Sequence, residues 1–232
     1  MQKESSNMIS LDQKYFILIH GQMKTGKTTL ANVIASVYKG ARVDHLADQL
    51  KEDYCVKNNL TREELEANKS NHRKALIDYG AKMREKSNGM HWIETLEKKI
   101  ATTYHPVVVI PDIRFENELT YFQTRYNTIS IKLEATEELL KERGANMGLL
   151  SDPSEQGIDE SLFNIRQRQF VVDDNKQRSV SATLNYKIIL PTENDNPIAM
   201  YRKMDDVTSM ANLMAINLKK LGSHSVMIMS YL

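Results

Sequence analysis

Eight residues near the amino end, Gly21-Gln22-Met23-Lys24-Thr25-Gly26-Lys27-Thr28, pair two glycines with an adjoining lysine and hydroxyl residue at the spacing of a phosphate-binding loop. Gly21 and Gly26 let the backbone curl so that successive N–H groups and a helix N-terminus point at one anion. Lys27 then neutralises the β and γ phosphates of a nucleotide, and the Thr28 hydroxyl ligates Mg²⁺. Gly21, Lys24, Thr25, Gly26, Lys27, Thr28 and Thr29 form the expected nucleotide-binding set. A second set of candidates lies downstream. Asp112 follows the apolar residues 107–111, so it emerges at the carboxyl edge of a strand, where it can hold the metal's water shell or orient an attacking oxygen. The structural alternative is an N-cap for a helix over residues 115–122. Arg114, two residues on, carries a fork of donors suited to a phosphate. Gly80, Lys82 and Arg84 lie on a helical stretch where a phosphate-bearing acceptor can dock, although a solvated charged face has the same composition. Lys141, Arg143, Arg166 and Arg168 bracket a long loop, and phosphoryl transfer needs cations that arrive as water leaves; surface arginine is the alternative.

The elements that must hold these residues can be read from periodicity. Residues 15–19 form an apolar run before the loop, a buried parallel strand, and Leu30, Val33, Ile34 and Val37 behind it make the core stripe of a helix. Residues 40–44 read as a short strand and Leu46, Leu50 and Tyr54 as the next helix. Thr61 with Glu64 is a capping-box signature that opens a helical insertion, with His72, Leu76, Tyr79 and Met83 on one face until residues 87–89 interrupt it. Trp92, Leu96 and Ile100 repeat at helical spacing, His105-Pro106 stops that helix, and residues 107–110 give a central strand. Ile129, Ile131 and Leu133 alternate as a further strand, and Thr136 caps a short helix ending at Arg143-Gly144. Residues 144–158, rich in Gly, Ser, Asp and Pro, are long enough to be a lid. Two segments, 170–172 and 185–190, compete for the last parallel strand. Met204, Val207, Met210, Met214 and Leu218 follow on a helical stripe more suited to a core or a partner than to chemistry, before an apolar tail over 226–232. The expected architecture is α/β: a three-layer α/β/α sandwich around a central parallel sheet, with ligands over the carboxyl ends of the strands.

Bulk properties narrow the function classes. The 232 residues carry a formal charge of +1, so no global field recruits nucleic acid or an anionic membrane, and anionic ligands must be held by local clusters. The single cysteine, Cys55, excludes an intramolecular disulfide, and no stretch approaches the ~20 apolar residues of a membrane span. A cytoplasmic protein is expected. Six histidines show no metal-ligand spacing and no Gly-x-Ser-x-Gly occurs, so zinc and serine-hydrolase chemistry lapse.

Several segments resemble, in order, those of the phage-type deoxynucleoside monophosphate kinases, and more distantly the animal phosphomevalonate kinases that share their architecture, over about residues 14–175. They are the loop itself, Leu46-Ala47-Asp48-Gln49-Leu50-Lys51, Tyr79-Gly80-Ala81-Lys82-Met83-Arg84 with Trp92, Asp112-Ile113-Arg114-Phe115-Glu116-Asn117-Glu118, and Asp152-Pro153-Ser154-Glu155. The resemblance implies a P-loop kinase using ATP and Mg²⁺, with Thr28 and Asp112 serving the metal. By it, Lys51, Arg84 and Arg114 hold the acceptor monophosphate, Lys24 and Arg143 approach the transferring phosphate, and Asp44, Trp92 and Glu155 complete the substrate set around Asp112. The polar residues 1–13 read as a loose extension, and the chain length favours a single domain, which the resemblance makes a kinase domain over 14–232. That domain divides into a helical acceptor-binding region at about 55–104, a lid at about 144–168 and an unassigned part from about 178. Two departures stand out: Pro153 occupies a place where many relatives carry histidine, and residues 178–232 match no family segment. The 112–118 segment favours a (deoxy)nucleoside monophosphate as acceptor, whereas residues 46–54 also resemble the phosphomevalonate enzymes. A nucleotide switch or ATPase acting on a protein partner is the alternative of a different class, and the methionine-bearing C-terminal stripe leaves a homodimer open.

Overall fold

The computed structural model describes residues 9–38, 40–158, 167–171 and 180–187; for the last two segments and for Val33, Val37 and Leu139 only the backbone is described. In chain order the elements are β1 (Tyr15–Gly21), α1 (Lys27–Val37), β2 (Ala41–Val43), α2 (Leu46–Asn58), α3 (Arg62–Ala67), α4 (Lys69–Lys86) and α5 (His91–Ala101). There follow β3 (Val107–Ile113), α6 (Glu116–Arg125), β4 (Asn127–Ala135), α7 (Glu137–Glu142), β5 (Gln167–Val171) and β6 (Val180–Lys187).

β1 is apolar without a break because both of its faces are covered. Ile17 and Ile19 pack with Val107, Val109, Ile129 and Ile131 beneath Leu30, Ala31 and Ile34 of α1. Phe16 and Leu18 point the other way, with Val108 and Ile110, into a layer built by Leu46 of α2, Trp92, Ile93, Leu96 and Ile100 of α5, and Leu119 and Phe122 of α6. Each such side chain contributes about 1.5–3 kcal/mol on burial, so the alternation of two apolar faces commits the strand to the middle layer. The expected three-layer α/β/α sandwich is present.

The sheet order is β2-β3-β1-β4-β6-β5. β2, β3, β1 and β4 run parallel. β1 leads through α1 to β2 on one side, and β3 leads through α6 to β4 on the other, so the neighbouring ends of β1 and β3 form a topological switch point, the place where sheets of this kind bind ligands. The last parallel strand expected from 170–172 or 185–190 does not exist among the described residues. β6 pairs antiparallel with β4, and β5 antiparallel with β6. Eight residues between β5 and β6 are too few for the crossover that a parallel return needs, so those two strands pair antiparallel, and β6, seated between β5 and β4, runs against both.

The helical insertion between β2 and β3 is present as α2 to α5, and the Thr61–Glu64 capping box forms in both directions, but it opens only the short α3 before α4 starts. Of the expected N-terminal extension, Leu11–Gln13 form a 3₁₀ turn, with Leu11 against the core and the Asp12 carbonyl accepting from Asn127. The methionine stripe and apolar tail lie outside the described residues.

Candidate active site

Three positive backbone φ angles bend the chain between β1 and α1: Gly21 at 139°, Lys24 at 64° and Gly26 at 104°. Gly21 is also required sterically, since a Cβ there would lie 2.2 Å from the carbonyl oxygen of Leu133 on the adjacent β4. Gly26 begins α1, and no side chain caps that helix, which leaves its first-turn N–H groups facing the loop. Lys27 folds back so that its Nζ donates to the carbonyls of Gly21 and Gln22, each at 2.6 Å. Thr25 is buried and donates to Gln22, whereas Thr28 and Thr29 are exposed on the first turn. Burial pushes the Lys27 pKa down from 10.5 to about 8, with Arg114 adding to the fall and Glu155 and Asp112 opposing it. Those three side chains therefore lie within electrostatic reach of the loop lysine.

Asp112 reaches this place through an irregularity in β3. Leu18 pairs with Ile110 but His20 pairs with Ile113, so β3 holds one extra residue around Pro111, a bulge that tolerates a proline and re-aims the next side chain. The Asp112 carboxylate accepts from the backbone N–H groups of Leu46 at 3.0 Å and Ala47 at 2.9 Å. It is thus a helix cap, but for α2 and not for the helix that follows it in sequence. At α6 that role falls to Glu118, whose Oε2 accepts from the N–H groups of Arg114 and Phe115. Glu118 is nearly fully buried, and burial pushes its pKa up.

Arg114 Nη1 donates to Glu155 at 2.5 Å and to the carbonyl and hydroxyl of Ser154. Glu155 is buried, and its other oxygen accepts from the N–H of Met23, within the phosphate loop, at 2.6 Å. Residues 151–156 are therefore folded onto the loop, and Ile158 is anchored in the core behind them. Arg143, after α7, donates to the carbonyls of Lys24 and Thr25, while Lys24 itself is exposed. Arg84 stands at the end of α4 with Nη1 on Glu118 at 2.7 Å, Nη2 on Asn117 at 3.2 Å, and its guanidinium 3.5 Å over the Phe115 ring.

Three expected site residues are engaged elsewhere. Lys51 pairs with Glu66 at 2.8 Å, which holds that carboxylate near pKa 2. Asp44 is buried between Arg42 and Lys99. Trp92 is a core side chain whose Nε1 donates to the Gly80 carbonyl. Gly80 itself lets α4 approach α2, since a Cβ there would meet Leu50 at 2.6 Å. Lys141 pairs with Glu137 on the surface, Arg166 lies outside the described residues, and Arg168 is placed in β5 by its backbone alone.

Sequence reasoning gave no role to Glu118, Asn117, Ser154 or the Met23 N–H. The signal for Glu118 was its place in the first turn of the helix after β3, four residues beyond Arg114. Among the described residues no group of three or more His, Cys, Asp or Glu gathers as a metal cage, and no helix is long and apolar enough to cross a membrane.

No curated protein matches the chain. Residues 19–128, just under half of it, match the family model of phosphomevalonate kinase, a family related to the P-loop kinases. The match runs from β1 to β4 and includes the loop, Arg84, Asp112, Arg114 and Glu118; Arg143 and Glu155 lie beyond it. With the sheet order and the phosphate loop, it supports a kinase-type phosphotransferase.

Proposed function

We propose that this chain transfers the γ-phosphoryl group of ATP to the phosphate of a (deoxy)nucleoside monophosphate. The observation that carries the reading is the gathering of Arg114, Asp112 and Glu155 around Lys27, with Glu155 seated on the phosphate loop, at the carboxyl edge of the sheet. The residues present fit a magnesium nucleotide. The α1 N-terminus has no side-chain cap, and Thr28 is exposed on its first turn. Each Asp112 oxygen receives one N–H and keeps a second lone pair. Thr28 and Asp112 would hold Mg²⁺, which normally binds through one or two protein oxygens plus phosphates and water. When bound, it neutralises charge on the phosphate oxygens.

In the reaction an oxygen of the acceptor phosphate attacks the γ-phosphorus, the bond to the β,γ-bridging oxygen breaks, and ADP leaves with the electron pair. The acceptor is already an anion, so no general base is needed, and alignment with charge neutralisation carries the rate. Lys27 turns from the loop carbonyls to the β and γ oxygens, Arg143 and Lys24 flank the transferring group, and Arg84 with Arg114 orients the acceptor. Residues 144–158 exclude water over the site.

A second reading, phosphomevalonate as acceptor, is favoured by the family match. A coupled ADP-release assay with Mg-ATP separates them, using dAMP, dGMP, dCMP, dTMP, their ribose counterparts and phosphomevalonate. A rate jump with nucleoside monophosphates supports the first reading, one confined to phosphomevalonate the second, and none with any acceptor overturns both. Lys27→Ala should lower kcat/KM by about a hundredfold or more with an unchanged circular dichroism spectrum. Wild-type activity in that folded variant would exclude the phosphate loop as the reacting site.

A further inference from the structure

We infer that Glu118 is a positioning residue: it orients the Arg84 guanidinium as an anion receptor and ties it to the backbone that carries Arg114. The inference rests on the proposed acceptor role of Arg84, and the two can fail separately.

The two oxygens of Glu118 do different things. Oε2 takes the N–H groups of Arg114 and Phe115, fixing the turn from β3 into α6, while Oε1 accepts from Arg84 Nη1 of α4. One carboxylate thus joins the strand-to-helix turn to a helix of the insertion. Asn117 accepts from Arg84 Nη2 and also donates to the Gly89 carbonyl, and the Phe115 ring lies under the guanidinium plane. Two nitrogens and one face of Arg84 are therefore fixed, and the donors left over point in a set direction. A planar fork held in this way loses little entropy on binding an anion. A carboxylate as buried as Glu118 is costly, and it is tolerated here because two N–H groups and a guanidinium surround it.

Glu118→Gln isolates the link. The amide oxygen can replace Oε2 and keep both backbone bonds, which leaves an NH₂ group facing the Arg84 Nη1 donor, so the turn survives and the arginine is released. The expected result is an acceptor KM raised about tenfold, with kcat and ATP affinity changed less than about threefold. In the Arg84→Ala background the same substitution should add less than about twofold, because its effect passes through Arg84. An unchanged KM in folded Glu118→Gln, or full additivity with Arg84→Ala, overturns the inference.

A readout independent of activity separates this from the functional reading. In the wild-type protein the Arg84 Nη protons should give resolved NMR signals, because the fork is held; averaged signals overturn the inference without any variant. Inorganic phosphate should shift the Arg84 Nε–H signal, with affinity about tenfold weaker in Glu118→Gln. Equal affinity in both, or no shift in the wild type, also overturns it. If no acceptor in the panel is phosphorylated while these NMR results hold, the kinase reading fails and the positioning role stands.

Discussion

Lys27 donates to two carbonyls of its own loop at 2.6 Å, so its ammonium is already desolvated and aimed before any ligand arrives. Burial has lowered its pKa to about 8, and a phosphate favours the charged form, so ligand binding must raise that pKa again. Affinity for ATP should therefore fall as pH rises through about 8, by about tenfold between pH 7 and 9, in equilibrium titrations. A flat profile would show that Lys27 does not meet the phosphates. The same depression has the opposite sign for folding: the unfolded lysine keeps its proton up to 10.5, so this group adds stability as pH rises from about 8 towards that value. At this scale the sequence was informative about residue type and poor about partners. The loop spacing identified Lys27, but nothing in it showed that Asp112 caps α2, that Lys51 faces Glu66, or that Asp44 is closed in by Arg42 and Lys99. Those partners come from other elements.

The element that changes most in meaning is the segment after α7. Its composition marked a lid, and the structure gives it a contact: Glu155 occupies the Met23 N–H and pairs with Arg114, so a carboxylate lies where the loop would meet an anion. Glu155→Gln should therefore tighten ATP binding by about fivefold, the equivalent of roughly 1 kcal/mol, because one negative charge beside the phosphates is removed and Arg114 is freed. Weaker binding in that variant would mean that the ligand itself uses the carboxylate. β3 offers the matching lesson for strands. The apolar run at 107–110 announced a buried strand, and the strand continues to Ile113 through a bulge at Pro111 that only pairing with β1 reveals.

Across the whole molecule, the edge opposite the site is tied by one lysine. Lys14, fully buried, donates to the carbonyls of Thr103 and His105, joining the start of β1 to the chain that leaves α5 for β3. Lys14→Met keeps the volume but leaves both carbonyls without that donor, so it should cost about 2–3 kcal/mol. In thermal melts that lowers Tm by about 6–10 °C, and an unchanged Tm would show the carbonyls to be satisfied otherwise. This ion sits far along the chain from everything it holds, and the sequence analysis gave it no role.

What the sequence by itself determined was whatever depends on neighbours a few residues away. The phosphate loop, the buried strands at 15–19 and 107–110, the capping box at Thr61 and the helical insertion follow from glycine conformation, apolar period and local capping, and each is present. What only the tertiary structure decided was which distant groups meet. The antiparallel pairing of β5 and β6, the cap that Asp112 gives α2, the seat of Glu155 on the loop and the hold of Glu118 on Arg84 all join residues of different elements. Charged side chains carry no periodic signal that names their partners. The packing of helices on a twisted sheet brings them together, and the cost of burying an unpaired charge then selects which pairs form.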